Sequence, residues 1–311
     1  MNKELLNLVE QLNSSVSCSV RLNELMSGHT SFKIGGPADV LVLPESAEQL
    51  KEVLHIISRA EVPLTLLGNG SNVLVRDKGI RGVVIKLGNM LRDFYENDDL
   101  LTFGAGYSLA LASHKVMECG RTGMEFAVGI PGSIGGAVYM NAGAYDGEMQ
   151  NIVHSVKVMD RQGNEQALTA SELGFSYRKT NLQNSGFIVT EVTLQVPAGD
   201  KAAIKAKMED FSHRRVSKQP LEMPSAGSMF KRPPGHFAGT LIDQAGLKGY
   251  TVGGAQVSEK HSGFVVNRGG ATAEEVAFLI KQVQKKVMKQ FNVMMQPEVR
   301  FVGFADTEVK E

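Results

Sequence analysis

The sequence predicts an α+β fold with three regions, 1–87, 88–198 and 199–296, followed by a C-terminal strand and tail at 297–311. Three observations support this class. Residues 39–87 show strand, helix and strand patterns in turn, the next region mixes one helix with long alternating segments, and the third has a helix with clear boundary signals. The length of 311 residues alone favours about two domains.

The first region reads as strand, helix, strand and loop. After the apolar strand Val40–Leu43, Ser46 and Gln49 stand three residues apart, as in a capping box, and open a helix to about Ala60. Four apolar residues share one face of that helix: Leu50, Val53, Leu54 and Ile57. The strand Leu64–Leu67 then runs into a glycine-rich turn, at the strand end where open α/β sheets bind ligands.

The second region is predicted to combine one helix with strands. The helix is Ser108–Cys119, and the alternating segments Val153–Val158 and Phe187–Val196 are typical of strands. A long helix at about 200–217 follows. Basic residues near its end suit the negative end of the helix dipole, which by itself could explain them.

The third region contains a second capping-box signature. Thr272 and Glu275 open a helix that closes near Gln290. The last apolar strand, Glu298–Gly303, directly follows Pro297.

Three glycine-rich turns carry the strongest functional signal in the chain. They are Gly68–Asn72 (GNGSN), Gly129–Gly136 (GIPGSIGG) and Asn141–Gly147 (NAGAYDG). Runs of exposed backbone N–H groups without bulky side chains can bind phosphate or pyrophosphate. Each turn alone could simply join strands, but together they indicate a long phosphate-bearing ligand such as a dinucleotide.

Composition excludes several classes of protein. Lysine plus arginine and aspartate plus glutamate both total 33, so we expect no nucleic-acid partner. Two cysteines, Cys18 and Cys119, without CxxC spacing indicate a reducing compartment and argue against disulfides or zinc. The amphipathic N-terminus lacks a signal-peptide core, and no apolar run reaches the length of about 18 residues that a membrane span needs. We therefore expect a cytoplasmic protein that does not enter a membrane.

Common catalytic and nucleotide-binding motifs are absent. The GxGxxG fingerprint begins at Gly104 and Gly106, but Leu109 stands where its third glycine belongs. GxxxxGK[ST], HExxH and GxSxG do not occur, and the seven histidines show no metal-ligand spacing. These absences argue against a Rossmann dehydrogenase, a P-loop NTPase, a zincin and an α/β-hydrolase, and they predict no metal site.

Two further patches matter only in combination with the glycine turns. Gly174–Thr180 (GFSYRKT) places an arginine beside a tyrosine, and Pro224–Pro233 (PSAGSMFKRP) places two serines around a glycine. Alone, the first would be solvated surface and the second a turn.

Together these patches resemble the UDP-N-acetylenolpyruvoylglucosamine reductase family from Thr30–Gly36 to Pro297–Gly303, nearly the whole chain. The matching motifs are Gly68–Val75, Gly129–Ala137, Ser176–Arg178, Ala226–Lys231 and Pro297–Arg300. The first two are typical of the wider vanillyl-alcohol-oxidase-type FAD fold, and the last three separate the reductase from its relatives. The chain is similar to the shorter subtype, which lacks the tyrosine-bearing loop of longer members.

The resemblance implies a two-subdomain vanillyl-alcohol-oxidase-type (PCMH-type) FAD-binding fold, a third α+β substrate domain, and a C-terminal strand that returns toward the active site. FAD is expected to bind noncovalently, because no histidine in these motifs requires a covalent link. Its pyrophosphate would lie along loop amides. The expected cofactor-binding residues are Gly68, Asn69, Gly70, Ser71, Asn72, Gly129, Ile130, Pro131, Gly132, Ser133, Gly135, Gly136, Ala137, Asn141, Ala142 and Gly143.

The resemblance also implies the reaction. NADPH reduces the flavin and leaves, the nucleotide sugar takes its place, and a hydride reaches the methylene carbon of the enolpyruvyl group to give UDP-N-acetylmuramate for peptidoglycan. Arg178 matches the arginine that binds and polarises the enolpyruvyl carboxylate, and its fork can do so bidentately. Ser228 matches the proton donor to the enolate-like intermediate, and Glu298 matches the assisting glutamate.

Weaker matches complete the expected site. Tyr177, Arg215 and Lys218 are assigned to contacts with the substrate carboxylate or diphosphate. Arg232 stands where other members carry asparagine, which leaves its role open. We expect a monomer or a weak homo-oligomer.

Two alternatives remain open from the sequence. An FAD-dependent oxidase of the same fold would lack counterparts of Arg178, Ser228 and Glu298 and would typically carry a covalent histidine. A noncatalytic nucleotide-binding module would use the glycine turns alone.

Overall fold

A computed structural model describes residues 3–88 and 90–305. The α-helices are α1 (Lys3–Ser15), α2 (Ala47–Ser58), α3 (Leu109–Glu118), α4 (Ile134–Tyr139), α5 (Lys201–Lys218), α6 (Ala238–Gln244) and α7 (Ala273–Phe291). The first nine strands are β1 (Ser19–Leu25), β2 (Pro37–Leu43), β3 (Leu64–Leu67), β4 (Val73–Val75), β5 (Ile80–Lys86), β6 (Phe94–Asn97), β7 (Leu100–Gly104), β8 (Gly143–Ala144) and β9 (Gly147–Glu148). The others are β10 (Val153–Met159), β11 (Glu165–Thr169), β12 (Ile188–Gln195), β13 (Ser225–Ser228), β14 (Thr251–Val252), β15 (Ala255–Val257), β16 (Phe264–Asn267) and β17 (Arg300–Val302).

The chain divides into two compact units, and neither is continuous in sequence. Unit 1 contains residues 1–22, 40–69 and 82–214, and unit 2 contains residues 23–39, 70–81 and 215–311. The chain passes between them within β1, β2, β5 and α5, and also within the first glycine turn, after Asn69. The three regions predicted from the sequence, with boundaries at 87, 198 and 296, stay a prediction.

Unit 1 has two hydrophobic cores. A five-stranded sheet in the order β11-β10-β12-β7-β6 is antiparallel throughout and packs with α3 and α4 around buried residues such as Phe103, Leu109 and Val192. The second core lies where α1 and α2 pack against strands of the sheet β1-β2-β5-β3, in which β3 and β5 run parallel. Leu50 and Leu54 are fully buried there.

Unit 2 is built on a four-stranded sheet in the order β13-β16-β15-β14, packed against α6 and α7. The N-terminus of α7 is well satisfied: Thr272 and Glu275 form a reciprocal capping box, and the Asp77 carboxylate accepts from the N–H groups of Ala273 and Glu274. A short parallel pair, β4 with β17, places Arg300 opposite Val73. This pairing holds the last strand beside the segment that follows the first glycine turn.

The predicted elements agree well with the structure. The β3 strand has the predicted bounds, the capping box of α7 is confirmed, and the four apolar residues assigned to one face of α2 are all buried. The start of α2 differs in one detail. Ser46 accepts from the Gln49 N–H as expected, but Gln49 Oε1 accepts from Glu45 N–H rather than from the N–H of Ser46.

Within residues 3–88 and 90–305, no helix combines the length and apolar character needed to cross a bilayer. The same residues include no cluster of three or more His, Cys, Asp or Glu side chains that could hold a metal ion.

Candidate active site

The first two glycine-rich turns approach each other in unit 1, where Gly68 lies close to Ser133. A β-carbon on Gly68 would lie 2.7 Å from Oγ of Ser133, well inside van der Waals contact. Ser133 in turn accepts a hydrogen bond from the Gly136 N–H at 3.4 Å and caps α4. A side chain at position 68 would therefore have to displace the Ser133 hydroxyl that caps α4, so glycine at 68 suits the close approach of the second turn.

These two turns offer unengaged hydrogen-bonding groups. The backbone N–H groups of Gly68, Asn69, Gly132 and Ser133 donate no hydrogen bond to any residue that the structure describes. The side-chain Oδ1 of Asn69 is buried and also lacks a partner among the described residues. Buried polar atoms in folded proteins are nearly always paired, so this arrangement indicates a ligand that both accepts and donates hydrogen bonds. A flavin dinucleotide fits, because its pyrophosphate accepts from amides and its flavin ring can donate.

Other residues predicted to bind the cofactor make hydrogen bonds or packing contacts inside the protein. The Gly135 N–H donates to the carbonyl of Ala105 at 2.9 Å, and the buried Ala137 N–H donates to the carbonyl of Ser133. Ile130 packs against the core of unit 1, whereas Pro131 is exposed. The remainder of the first turn, Gly70, Ser71 and Asn72, lies in unit 2, where the Ser31 N–H donates to the Gly70 carbonyl at 3.0 Å. Direct contact of these residues with a cofactor stays a prediction.

The third glycine-rich turn, with β8 and β9, lies against the loop that carries Arg178. The guanidinium of Arg178 donates to the carbonyls of Asn141 (3.4 Å) and Gly143 (3.0 Å). Both acceptors are backbone carbonyls, and these contacts orient the guanidinium. Arg178 also lies 4.9 Å from the ring centre of Tyr177, whose side chain is 49% exposed.

Arg178 occupies a backbone conformation that few non-glycine residues adopt. Its φ is +56°, and Asn141, Tyr145 and Asp146 in the facing turn also have positive φ values, between 43° and 66°. Non-glycine residues in this region cost conformational energy and cluster at functional sites. The surrounding hydrogen bonds must therefore hold the loop in place.

Ser228 lies in unit 2 at the end of β13. Beyond it, the chain continues pairing on both sides: the Met229 N–H donates to the Gly263 carbonyl (2.9 Å), and the Met229 carbonyl accepts from the Glu298 N–H (2.9 Å). The Lys231 N–H donates to Gln296 in the same ladder. Ser228 and Glu298, seventy residues apart in sequence, are thus brought onto adjacent paired segments.

The Ser228 side chain is exposed, and no residue in the described part of the chain hydrogen-bonds its hydroxyl. Glu298 is half-buried and is fixed further by Asn72, whose side-chain amide donates to the Glu298 carbonyl at 3.2 Å. The Asn72 carbonyl also accepts from the Arg300 N–H. A hydroxyl that is both exposed and held by a rigid backbone is well placed to donate a proton.

The predicted basic residues of unit 2 differ in their environments. Arg215 is buried and contacts Gln219 Oε1 at 3.5 Å, whereas Lys218 is exposed. The pKa of the His261 imidazole is lowered, mainly by burial and to a smaller extent by the positive charge of nearby Lys218. His261 Nδ1 accepts from the Gly263 N–H, in the same turn that pairs with Met229.

The sequence left the role of Arg232 open and did not predict which residue it contacts. The Arg232 guanidinium lies 4.0 Å from the ring centre of Phe237, an aromatic side chain that is 61% exposed. His261 and the Asn72 amide were also not predicted to support the catalytic segments. Asn72 reaches Glu298 across 226 positions, and the turn in which His261 bonds to Gly263 pairs with the distant Met229. A local pattern gives no signal for either of these long-range pairings.

Two family models match the chain. One described as FAD binding domain matches residues 38–169, and one described as UDP-N-acetylenolpyruvoylglucosamine reductase, C-terminal domain, matches residues 219–302. The two matches overlap the glycine turns of unit 1 and the Ser228 and Glu298 segments of unit 2.

Curated relatives and a solved structure point the same way. UDP-N-acetylenolpyruvoylglucosamine reductases from Clostridium perfringens strain 13 and Caldanaerobacter subterraneus subsp. tengcongensis are 50% and 49% identical, each over 91% of this chain and 93% of its own length. The crystal structure of UDP-N-acetylenolpyruvylglucosamine reductase from Thermus caldophilus is similar with a TM-score of 0.77 and 36% identity, covering 92% of this chain and 98% of that chain. These findings confirm the predicted α+β class with an FAD-binding region.

Proposed function

The chain belongs to the UDP-N-acetylenolpyruvoylglucosamine reductase family, and on that premise we propose that it carries out this family's reaction. It reduces the enolpyruvyl group of UDP-N-acetylenolpyruvoylglucosamine with NADPH, giving UDP-N-acetylmuramate for peptidoglycan synthesis. The proposal is supported above all by the 50% identity to these reductases over 91% of the chain. The pairing of the Ser228 and Glu298 segments also supports it.

FAD is the cofactor, and the residues of unit 1 fit it. When bound, FAD takes a hydride from NADPH and supplies it to the methylene carbon of the substrate. We assign its pyrophosphate to the N–H groups of Gly68, Asn69, Gly132 and Ser133, and its hydrogen-bond donors to Asn69 Oδ1. The binding is noncovalent in this proposal.

Arg178 binds and polarises the enolpyruvyl carboxylate. A hydride can add to the methylene carbon only if the resulting electron pair moves into an enolate-like system that includes the carboxylate. A guanidinium presents two parallel N–H donors to a carboxylate and keeps its charge at any physiological pH. Its backbone carbonyl partners hold that fork in one orientation, so less orientational entropy is lost when the substrate binds.

Ser228 donates the proton that completes the reaction, and Glu298 assists it. A serine hydroxyl is a weak acid, but the carbon next to an enolate-like carboxylate is a strong enough base to accept its proton. Backbone hydrogen bonds to Gly263 and Glu298 fix the main chain at Met229. Because Ser228 is the preceding residue, they also fix the position from which its side chain extends. Glu298, on the adjacent segment, would share the proton or hold the developing enol.

Tyr177, Arg215 and Lys218 bind the carboxylate or diphosphate of the substrate in this proposal. Exposed Lys218 and Tyr177 are accessible to a ligand, while buried Arg215 would act from within the unit. We place the enzyme in the cytoplasm, where the nucleotide sugar and NADPH are made, and we expect a monomer or a weak homo-oligomer.

The test has two parts. The purified protein, reconstituted with FAD, should show flavin absorbance bands in the visible region, and failure to retain flavin would contradict the cofactor assignment. NADPH oxidation is then followed with and without the enolpyruvyl nucleotide sugar under anaerobic conditions. We expect turnover only with the sugar. If NADPH oxidation does not respond to the sugar and begins only when oxygen is admitted, the protein is an oxidase of the same fold instead.

A further inference from the structure

The side chain of Asn141 makes an unusually dense set of hydrogen bonds. It is completely buried. Its Nδ2 lies within hydrogen-bonding distance of Glu148 Oε2 (3.1 Å), Gln150 Oε1 (3.4 Å) and the Ser176 carbonyl (3.0 Å), and its Oδ1 accepts from the Gln150 N–H (3.0 Å). The amide therefore joins the turn that contains it to the loop that contains Arg178.

The same residue also contacts Arg178 through its main chain. Arg178 donates one bond to the Asn141 carbonyl and another to the Gly143 carbonyl, while Asn141 Nδ2 donates to Ser176 two residues earlier. Asn141 is thus bonded to the beginning and to the end of the segment Ser176–Arg178. Removing its side chain would release the first of these attachments and leave the second.

We propose that Asn141 is a positioning residue that holds the Arg178 guanidinium in the orientation that binds the enolpyruvyl carboxylate. The proposal rests on the function proposed above for Arg178. It differs from the sequence-based expectation that Asn141 contacts the cofactor, because every polar atom of its side chain is already bonded within unit 1.

The chemistry of the position favours asparagine. The side chain must donate to acceptors, including a carboxylate and a backbone carbonyl, and accept from an N–H, which an amide can do and a carboxylate cannot. The backbone has a φ of +43°, a conformation in which asparagine is enriched among non-glycine residues. Aspartate would keep the shape and the backbone preference but would place a second negative charge beside Glu148.

Two variants separate the hydrogen bonds from backbone strain. Asn141→Gly removes the side chain and tolerates positive φ, while Asn141→Asp keeps the shape and removes the donors. The matched control is Asn181→Asp, which makes the same chemical change on an exposed residue three positions after Arg178. That amide donates to the carbonyl of Glu172 instead.

The readouts are the two half-reactions, followed by flavin absorbance in a stopped-flow instrument on the FAD-loaded protein. We expect both Asn141 variants to keep flavin reduction by NADPH and to slow reoxidation by the enolpyruvyl sugar by about 10²-fold, the usual effect of a misplaced catalytic group. Asn181→Asp should match the wild type in both. In an Arg178→Lys background, Asn141→Gly should add little further loss, because both changes act through one guanidinium.

Several outcomes would overturn the proposal. These are unchanged reoxidation in both Asn141 variants, a loss that is shared equally by NADPH reduction, or a loss that is fully additive with Arg178→Lys. If Arg178→Lys itself has no effect on reoxidation, the function proposed for Arg178 fails rather than the role of Asn141 alone.

A variant that loses FAD or fails to fold would not end the test. Glu148→Ala then serves in its place, since it leaves Asn141 intact and removes one acceptor of its amide. We expect the same selective slowing of reoxidation, smaller in size. No selective slowing in Glu148→Ala would contradict the proposal.

Discussion

Units 1 and 2 hold their proposed catalytic groups by different means. In unit 1, Arg178 lies on an irregular loop at positive φ, and its side chain donates to the backbone carbonyls of Asn141 and Gly143. The side chain of Asn141 bonds to the same loop at the Ser176 carbonyl. In unit 2, Ser228 and Glu298 lie on paired segments, and backbone bonds through Met229 fix them.

The difference follows from what each group must do. A guanidinium recognises a carboxylate through a plane of donors, so its orientation must be fixed directly. A proton donor needs a fixed backbone position and a hydroxyl that is not otherwise hydrogen-bonded. Backbone pairing between strands fixes the main chain without contacting the side chain, so it meets both needs. Unit 1 should therefore be sensitive to changes in neighbouring side chains, and unit 2 mainly to loss of the catalytic side chain itself.

The largest expected effect is that of Ser228→Ala. The ladder around Met229 does not use the serine side chain, so the backbone should stay in place and only the acid is lost. We expect reoxidation of the flavin by the enolpyruvyl sugar to slow by about 10³-fold or more, within the range of general acid catalysis. Stopped-flow absorbance measures it, with NADPH reduction as the internal control. An equal loss in both half-reactions would make the serine structural.

Arg178→Lys should have the next largest effect. Lysine keeps the charge but cannot present a planar bidentate fork to a carboxylate. We expect reoxidation to slow by about 10²-fold, similar to the removal of one stabilising donor from an active site. Single-turnover kinetics against sugar concentration measures the loss. A rate equal to that of the wild type would show that charge alone suffices and that the fixed orientation in unit 1 is irrelevant.

Helix caps test whether the units are stabilised independently. Ser46→Ala removes the cap of α2 in unit 1, and Thr272→Ala removes half of the capping box of α7 in unit 2. Each should cost about 1 kcal/mol of stability. Hydrogen exchange followed by mass spectrometry should locate the loss in the unit that carries the variant. Equal loss of protection throughout both units would show that they open together.

The smallest expected effect is a pH dependence that belongs to unit 2. Burial, and secondly Lys218, lower the pKa of His261 in the folded protein. The unfolded chain then binds more protons as pH falls, so this contribution to stability is complete above the ordinary histidine pKa of about 6.5 and is lost below it. The urea concentration at the unfolding midpoint should therefore decrease as the pH is lowered from about 7.5 to about 5.5. In His261→Gln this decrease should be less steep. An identical fall in that variant would assign the effect to other groups.

Local patterns predicted the elements of the fold well. The apolar residues of α2 and the capping box of α7 follow from spacings of three and four residues, and both are confirmed. The family was also identified from short motifs, because the glycine turns and the Ser228 and Glu298 motifs are each contiguous in sequence.

Supporting contacts could not be predicted in the same way. Asn72 reaches Glu298 across 226 positions, and Asn141 reaches Ser176 across 35. Nothing in the residues around Asn141 distinguishes a cofactor ligand from a buried amide that holds a neighbouring loop. Only the folded arrangement shows that its donors and acceptor are already engaged.

The central claim is that the cation of unit 1 and the acid of unit 2 serve the same half-reaction. The most direct measurement is stopped-flow analysis of the double variant Arg178→Lys/Ser228→Ala loaded with FAD. The claim predicts that NADPH still reduces the flavin close to the wild-type rate while the enolpyruvyl sugar no longer reoxidises it at a measurable rate. Loss of NADPH reduction to the same extent, or reoxidation that persists, would contradict it.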